Sequence, residues 1–138
     1  MKRNEPVSHI MQSEVITVQV GQKMSDVRAV LTEHGFHHVP VVDGETLVGI
    51  LSATDILRIS YEYQTDSRMS DTVMDHTRSI SDVMQSNPVT LAAKDTIRSA
   101  AEILAKNWFH ALPVVDDDKK LVGMVTTTDL LNYLLAQY

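Results

Sequence analysis

Two short motifs carry the groups that could do chemistry in this chain. They are Ser52-x-x-Asp55, with Thr54 inside it, and Thr126-x-x-Asp129, with Thr128 in the same place. A hydroxyl and a carboxylate three residues apart, where an apolar run turns helical, can cap the helix, with the acid reaching back to the cap amide. They can also face a ligand. A helix start offers amides and positive dipole to a phosphate, and hydroxyls add donors. A carboxylate accepts hydrogen bonds from vicinal hydroxyls such as a ribose presents. Two features lean toward the ligand. Aspartate is shorter than the Glu or Gln that usually closes a capping box. Gly49 and Gly123 stand in otherwise apolar strands, where glycine costs about 0.5–1 kcal/mol relative to alanine and marks close approach by a ligand or another backbone.

His37 and His110 recur at one place ahead of matching strands. Contact with a phosphate and a partly buried imidazole bonded to backbone are both open readings. His34, His37 and His38 are close in sequence, but His37 and His38 point to opposite faces of an extended chain. No carboxylate cluster completes a ligand set, so a metal site is not expected. His9 and His76 read as solvated surface. The chain has no cysteine, which excludes disulfides and thiolate chemistry. No nucleophile elbow, P-loop or acid pair appears, so the expectation is a protein without catalysis and without a catalytic cofactor. Trp108 reads as core or a dimer contact, and the methionines as aliphatic filling.

The elements that position these motifs are written twice. "VSHIMQSEVITV" from Val7 returns as "ISDVMQSNPVTL" from Ile80, and "FHHVPVVD" from Phe36 returns as "FHALPVVD" at the same offset, from Phe109. "LVGILSATDIL" from Leu47 matches "LVGMVTTTDLL" from Leu121 at an offset one residue longer. The extra residue falls in "DDDKK" against "DGET", where a turn tolerates it. Each copy reads as a short turn around Met11 or Met84, then an extended piece (residues 15–20 and 89–92). An amphipathic helix follows, then two apolar strands and a closing helix (from about Ala53 to Tyr63, and Thr127 to Ala136). Met24, Val27, Val30 and Leu31 form one apolar stripe, and Ile97, Ala100, Ala101, Leu104 and Ala105 the other. Asp95 is the expected N-cap of the second of these helices. Gly35 is a left-handed stop in the first copy, and Asn107 would supply it in the second. Asp43-Gly44 signals a hairpin. The paired strands, apolar at consecutive positions, should be covered on both faces. Residues 62–79 read as a polar linker between a first repeat, 7–61, and a second, 80–136. Each is too small for a core of its own, so an α+β domain packed about a pseudo-twofold axis is expected.

The bulk numbers agree. The chain has 138 residues, 43% of them hydrophobic but only 5% aromatic, so the core must be aliphatic. A net charge of −6 with scattered Lys and Arg disfavours nucleic acid. No apolar run approaches the ~20 residues of a membrane helix, and no signal peptide is apparent. A soluble, cytoplasmic, stand-alone protein is expected.

The order of elements, the "PVVD…GhhSxxD" spacing and the tandem copy resemble a cystathionine-β-synthase (CBS) domain pair, or Bateman module, over nearly the whole chain. The resemblance implies a strand-helix-strand-strand-helix fold in each repeat, with clefts between the repeats that bind adenosine ligands. These are AMP above all, then ADP or ATP, and in some members S-adenosylmethionine or NAD. It implies that Asp55 and Asp129 hold a ribose and that Ser52, Thr54, Thr126 and Thr128 meet phosphate or ribose oxygens. His37, His38, His110 and Ala111 stand at positions that often carry basic phosphate contacts. Ile16-Thr17 and Val89-Thr90 would lie along the adenine, and Val39, Pro40, Ile50, Leu112, Pro113 and Met124 would line the clefts. No Arg or Lys stands at the phosphate-facing positions, which favours a monophosphate or a pH-sensitive site over a triphosphate. The family also implies a regulatory, energy-sensing role, a homodimeric disc formed through the helices after Met24 and Ile97, and a regulated protein partner. The alternative is a ligand-free interaction module whose Ser/Thr-x-x-Asp motifs only cap helices.

Overall fold

Two aliphatic cores organise the chain, and each draws on both sequence repeats. The computed structural model describes residues 4–62, 71–107 and 109–138. Residues 63–70 of the expected linker, Tyr63 at the end of the expected closing helix, and Trp108 therefore lie outside the described residues. One compact unit is Ile16–Asn87; the other joins the chain up to Val15 with Pro88–Tyr138.

In the unit Ile16–Asn87 the order is β1 (Val18–Gln19), α1 (Met24–His34), β2 (His38–Asp43), β3 (Thr46–Ser52) and α2 (Ala53–Glu62). It continues with α3 (Asp71–Thr77), α4 (Ile80–Val83) and β4 (Gln85–Ser86). The sheet runs β1-β2-β3-β4, with β1 parallel to β2 and the other pairs antiparallel. The stripe of α1 is as expected: Met24, Val27 and Leu31 are buried with Val18, Val39, Val41, Leu51 and Ile59, and Val30 packs at the margin. Gly35 ends the helix at φ 67, and Gly44 turns the hairpin at φ 66, angles that glycine adopts without steric cost.

The segment expected to be a polar linker, with helix considered only at its start, supplies α3 toward its end. Met74 is fully buried in this core. Asp75 accepts from the Ser25 amide at 2.8 Å and the Ser25 hydroxyl at 2.7 Å, fastening α3 to the first turn of α1. Burial alone would raise the Asp75 pKa; the two Ser25 donors, with Lys23 and His76, outweigh it and leave it lowered. Two adjacent apolar residues, Val73 and Met74, among polar ones carry no helical periodicity, which is why the pattern missed this helix.

The other unit holds a single 3-10 turn (Val7–His9), β5 (Leu91–Ala92), α5 (Ile97–Lys106), β6 (Ala111–Val115), β7 (Leu121–Thr126) and α6 (Thr127–Ala136). Its sheet runs β5-β6-β7. Val7 is buried with Leu91, Ile97, Ala100, Leu104, Leu112, Val114 and Val125. The N-cap of α5 is Thr96, accepting from the Ser99 amide at 3.0 Å. Asp95, the residue expected there, is taken up instead by the Ala92 amide at 2.9 Å. Asn107 is extended (φ −123), not left-handed; its side-chain amide donates to the Ile103 carbonyl and so satisfies the helix end another way. The extra residue of the second hairpin is absorbed by Lys119 at φ 63 and by Asp116, whose Oδ1 accepts from the Asp118 and Lys120 amides at 2.9 Å.

Two further expectations change. The early strands are two residues long, and Ile16, Thr17, Val89 and Thr90 precede them; Ile16 and Val89 are exposed. Consecutive burial holds along β2 and β6, but β3 alternates buried and half-buried positions. One face of β3 is therefore only partly covered, which is the usual condition of an antiparallel strand.

Candidate functional site

Each motif sits where a strand ends and a helix begins, and the same local bonds build both. Ser52 closes β3 opposite His38, and the Ala53 amide donates to the His37 carbonyl at 3.0 Å. Thr126 closes β7 opposite Ala111, and the Thr127 amide donates to the His110 carbonyl at 2.9 Å. The carbonyls of His37 and His110 thus anchor the two helix starts, while their imidazoles lie exposed; His38 is half-buried. Among the described residues no group of three His, Cys, Asp or Glu is placed to hold a metal ion.

The capping boxes are complete. Asp55 Oδ2 accepts from the Ser52 amide at 2.8 Å and hydroxyl at 3.0 Å, and the Asp55 amide returns to Ser52 Oγ at 3.2 Å. Asp129 Oδ2 accepts from the Thr126 amide at 2.9 Å, and the Asp129 amide returns to Thr126 Oγ1 at 3.1 Å. Aspartate is therefore long enough for the box, contrary to the length argument, because the turn draws the cap amide in. Capping uses Oδ2 alone. In both copies Oδ1 faces a side chain and no main chain. Arg58 donates to Asp55 Oδ1 at 2.8 Å and Gln12 to Asp129 Oδ1 at 3.1 Å.

The two strand glycines have a structural cause. A Cβ on Gly123 would come within 2.5 Å of Met11 Sδ and 3.0 Å of the Gln12 carbonyl oxygen; one on Gly49 would overlap Met84 Sδ and lie 3.0 Å from the Gln85 carbonyl oxygen. Of the two causes open in the sequence, ligand or backbone, the backbone with its methionine is the one present. Met11 and Met84 are thus more than filling: they lie across the strands just before the motifs.

Of the other expected site residues, Pro40 pairs with Ile50 and Pro113 with Met124 on neighbouring strands. Val39, Pro40, Ala111, Leu112, Pro113 and Met124 are buried, Val39 and Leu112 within the two cores; Ile50 is half-buried, and Thr54 and Thr128 are exposed. Among the described residues no hydrogen bond joins Ile16, Thr17, Val89 or Thr90 to either motif. Arg58 and Gln12 were not foreseen. Arg58 follows Asp55 by one helical turn, a spacing at which side chains meet, whereas Gln12 is 117 residues from Asp129 and gave no signal.

The model of the CBS domain family matches residues 7–62 and 80–136. MJ1225, an uncharacterized protein of Methanocaldococcus jannaschii, is 29% identical over 132 residues, covering 94% of this chain and 47% of that protein. An inosine-5'-monophosphate dehydrogenase of Korarchaeum cryptofilum is 30% identical over 117 residues, 85% of this chain but 22% of the enzyme. The chain thus spans half or less of the length of these curated relatives. Among solved structures, Arabidopsis thaliana CBSX2 in complex with AMP superposes with a TM-score of 0.82 at 27% identity, covering 96% of this chain and 98% of that one.

Proposed function

This chain belongs to the CBS domain family, and from that premise we propose that it is a regulatory module that binds an adenosine-containing ligand, AMP first, without turning it over. The observation that carries the reading is the division of labour within each carboxylate. Oδ2 is fixed by the capping box, and Oδ1 is held out toward side chains, where a ribose hydroxyl can reach it. The pose is rigid before the ligand arrives, which lowers the ordering cost of binding. That CBSX2 binds AMP supports the choice of ligand. ADP, ATP, S-adenosylmethionine and NAD share the same ribose and belong in the first panel. An energy-sensing role, with a regulated protein reading the liganded form, belongs to the same proposal.

The ligand-free reading has one observation in its favour, the completeness of both boxes. Thermal melts with AMP, ADP, ATP, S-adenosylmethionine, NADH and adenosine separate the two. Ligand at a hundredfold excess over its dissociation constant adds about 2.7 kcal/mol of stability; no response to any of them would leave the motifs as caps alone. Long incubation with ATP should yield no ADP or AMP. Homodimerisation is part of the proposal, through α2 and α6 rather than α1 and α5. Leu57, Leu131 and Leu135 are 50%, 55% and 70% exposed, whereas the large apolar side chains of α1 and α5 are buried or half-buried. Among the described residues no helix is long and apolar enough to cross a membrane.

A further inference from the structure

The two motifs match in sequence and in capping geometry but not in charge. Asp55 is paired with the guanidinium of Arg58 at 2.8 Å, the carboxylate side chain being 16% exposed and the arginine 61%. Among the described residues, the side chain that meets Asp129 Oδ1 is the neutral carboxamide of Gln12, at 3.1 Å. The residue of the second copy that corresponds to Arg58 is Asn132. Among the described residues no Lys or Arg stands within ion-pair distance of Asp129.

We propose that the two sites select different adenosine compounds: the Asp55 site takes the 5'-phosphorylated nucleotide, and the Asp129 site the adenosine whose 5' group is uncharged or cationic. This rests on the adenosine-binding reading above and adds to it which member of the class each motif receives. A carboxylate that holds the 2'- and 3'-hydroxyls lies within several ångströms of the 5' substituent of the same ribose. At Asp129 no side-chain cation among the described residues balances the carboxylate, so a phosphate brought there meets a like charge at a distance where the repulsion is felt. At Asp55 the charge is already balanced. Arg58 spends one of its five N–H donors on Oδ1 and keeps the others for a phosphate, in the planar fork that suits such oxygens. The oxygen it touches has a second lone pair for a ribose hydroxyl, so the ion pair and the sugar can share the carboxylate. Arg58 also supplies, from the helix, the cation that the strand positions His37 and His38 lack. The exposure of Arg58 means screening by solvent, which keeps the effect moderate and makes it fall with added salt.

The test measures binding of AMP and of adenosine by calorimetry to the whole chain carrying one intact motif at a time. Asp129→Asn leaves the Asp55 site and Asp55→Asn leaves the Asp129 site. The Asp55 site should prefer AMP over adenosine by about tenfold, a difference of 1.4 kcal/mol, and the Asp129 site should prefer adenosine. Adding Arg58→Gln to the Asp129→Asn protein should cut the AMP-to-adenosine ratio by about tenfold, and adding Asn132→Arg to the Asp55→Asn protein should raise it. An equal ratio at the two sites overturns the inference, as does a ratio that Arg58→Gln leaves unchanged because both affinities move together. If neither compound binds the unaltered protein, the adenosine reading itself fails, a result distinct from binding without discrimination.

Discussion

Replacing Asp129 by Ala, with Thr126→Ala beside it, separates capping from recognition. Both changes break the same box. Thr126→Ala removes the acceptor of the Asp129 amide, and Asp129→Ala removes the acceptor of the Thr126 amide, so each should cost about 1 kcal/mol of stability. Asp129→Ala also removes a negative charge from the first turn of α6, adding about 0.3–1 kcal/mol. Without ligand the two variants should therefore melt within a few degrees of each other, since 1 kcal/mol is about 3–4 °C for a chain of this size. Ligand divides them. A ribose hydroxyl bonded to a carboxylate is worth about 1.5–3 kcal/mol, so losing the Asp129 pair weakens binding on the order of a hundredfold. At an adenosine concentration a hundredfold above the original dissociation constant, the stabilisation falls from about 2.7 to about 0.4 kcal/mol. Thr126→Ala keeps the carboxylate and should keep most of the increment. The assay is urea denaturation with and without adenosine, in the Asp55→Asn background so that one site reports. Full retention of the increment in Asp129→Ala would refute the assignment of Oδ1 to the ligand, as would equal loss in both variants.

Gly123→Ala should lower stability by about 1–2 kcal/mol. The crowding at Met11 and at the Gln12 carbonyl exceeds the gain from replacing a strand glycine. Combining it with Met11→Ala should give a cost well below the sum, read as a coupling in denaturant titrations. Gly35→Ala, forced to φ 67, should destabilise by about 1 kcal/mol, measured the same way. Asp75 sets an acid limb. Its folded pKa is depressed, so its contribution is present above the unfolded value and is lost as pH falls through the folded one. Asp75→Asn should therefore lower stability at neutral pH and flatten the decline at the acid end of a pH series of melts. A variant that declines as steeply as the parent would contradict the Ser25 contact.

Much of the architecture was legible because duplication doubles every signal. The α1 stripe, the left-handed Gly35 and the Asp43-Gly44 hairpin each follow from local chemistry, and each is found. What failed was local choice between equals. Asp95 and Thr96 are both good caps, and the decision falls to the Ala92 amide, which claims the Asp95 carboxylate. Asn107 avoids the left-handed region because its side chain reaches Ile103. The motifs themselves were found in their places. The side chains that meet their carboxylates were not: Arg58 lies one helical turn from Asp55 but was not singled out, and Gln12 reaches Asp129 only through the fold.

The deeper omission concerns which sheet each opening turn joins. Val7 and Ile80 occupy the same place in the two repeats, and both are fully buried, so the pattern correctly marks them as core. Nothing in their chemistry says whose core. Val7 packs with Leu112 and Val125 of the second repeat, and Ile80 with Val39 and Leu51 of the first. The glycines record that exchange. Gly123 admits Met11 and the Gln12 carbonyl, and Gly49 admits Met84 and the Gln85 carbonyl. The Gln12 backbone bonds Met124 in both directions, at 2.8 and 2.9 Å. A residue of the first repeat is thereby carried to the carboxylate of the second, and the resulting Gln12–Asp129 bond stands where the other motif has the Arg58–Asp55 ion pair. The exchange of turns thus shapes the surroundings of the Asp129 carboxylate. Any change that loosens the Met11–Gly123 contact should weaken ligand at Asp129 before it affects ligand at Asp55.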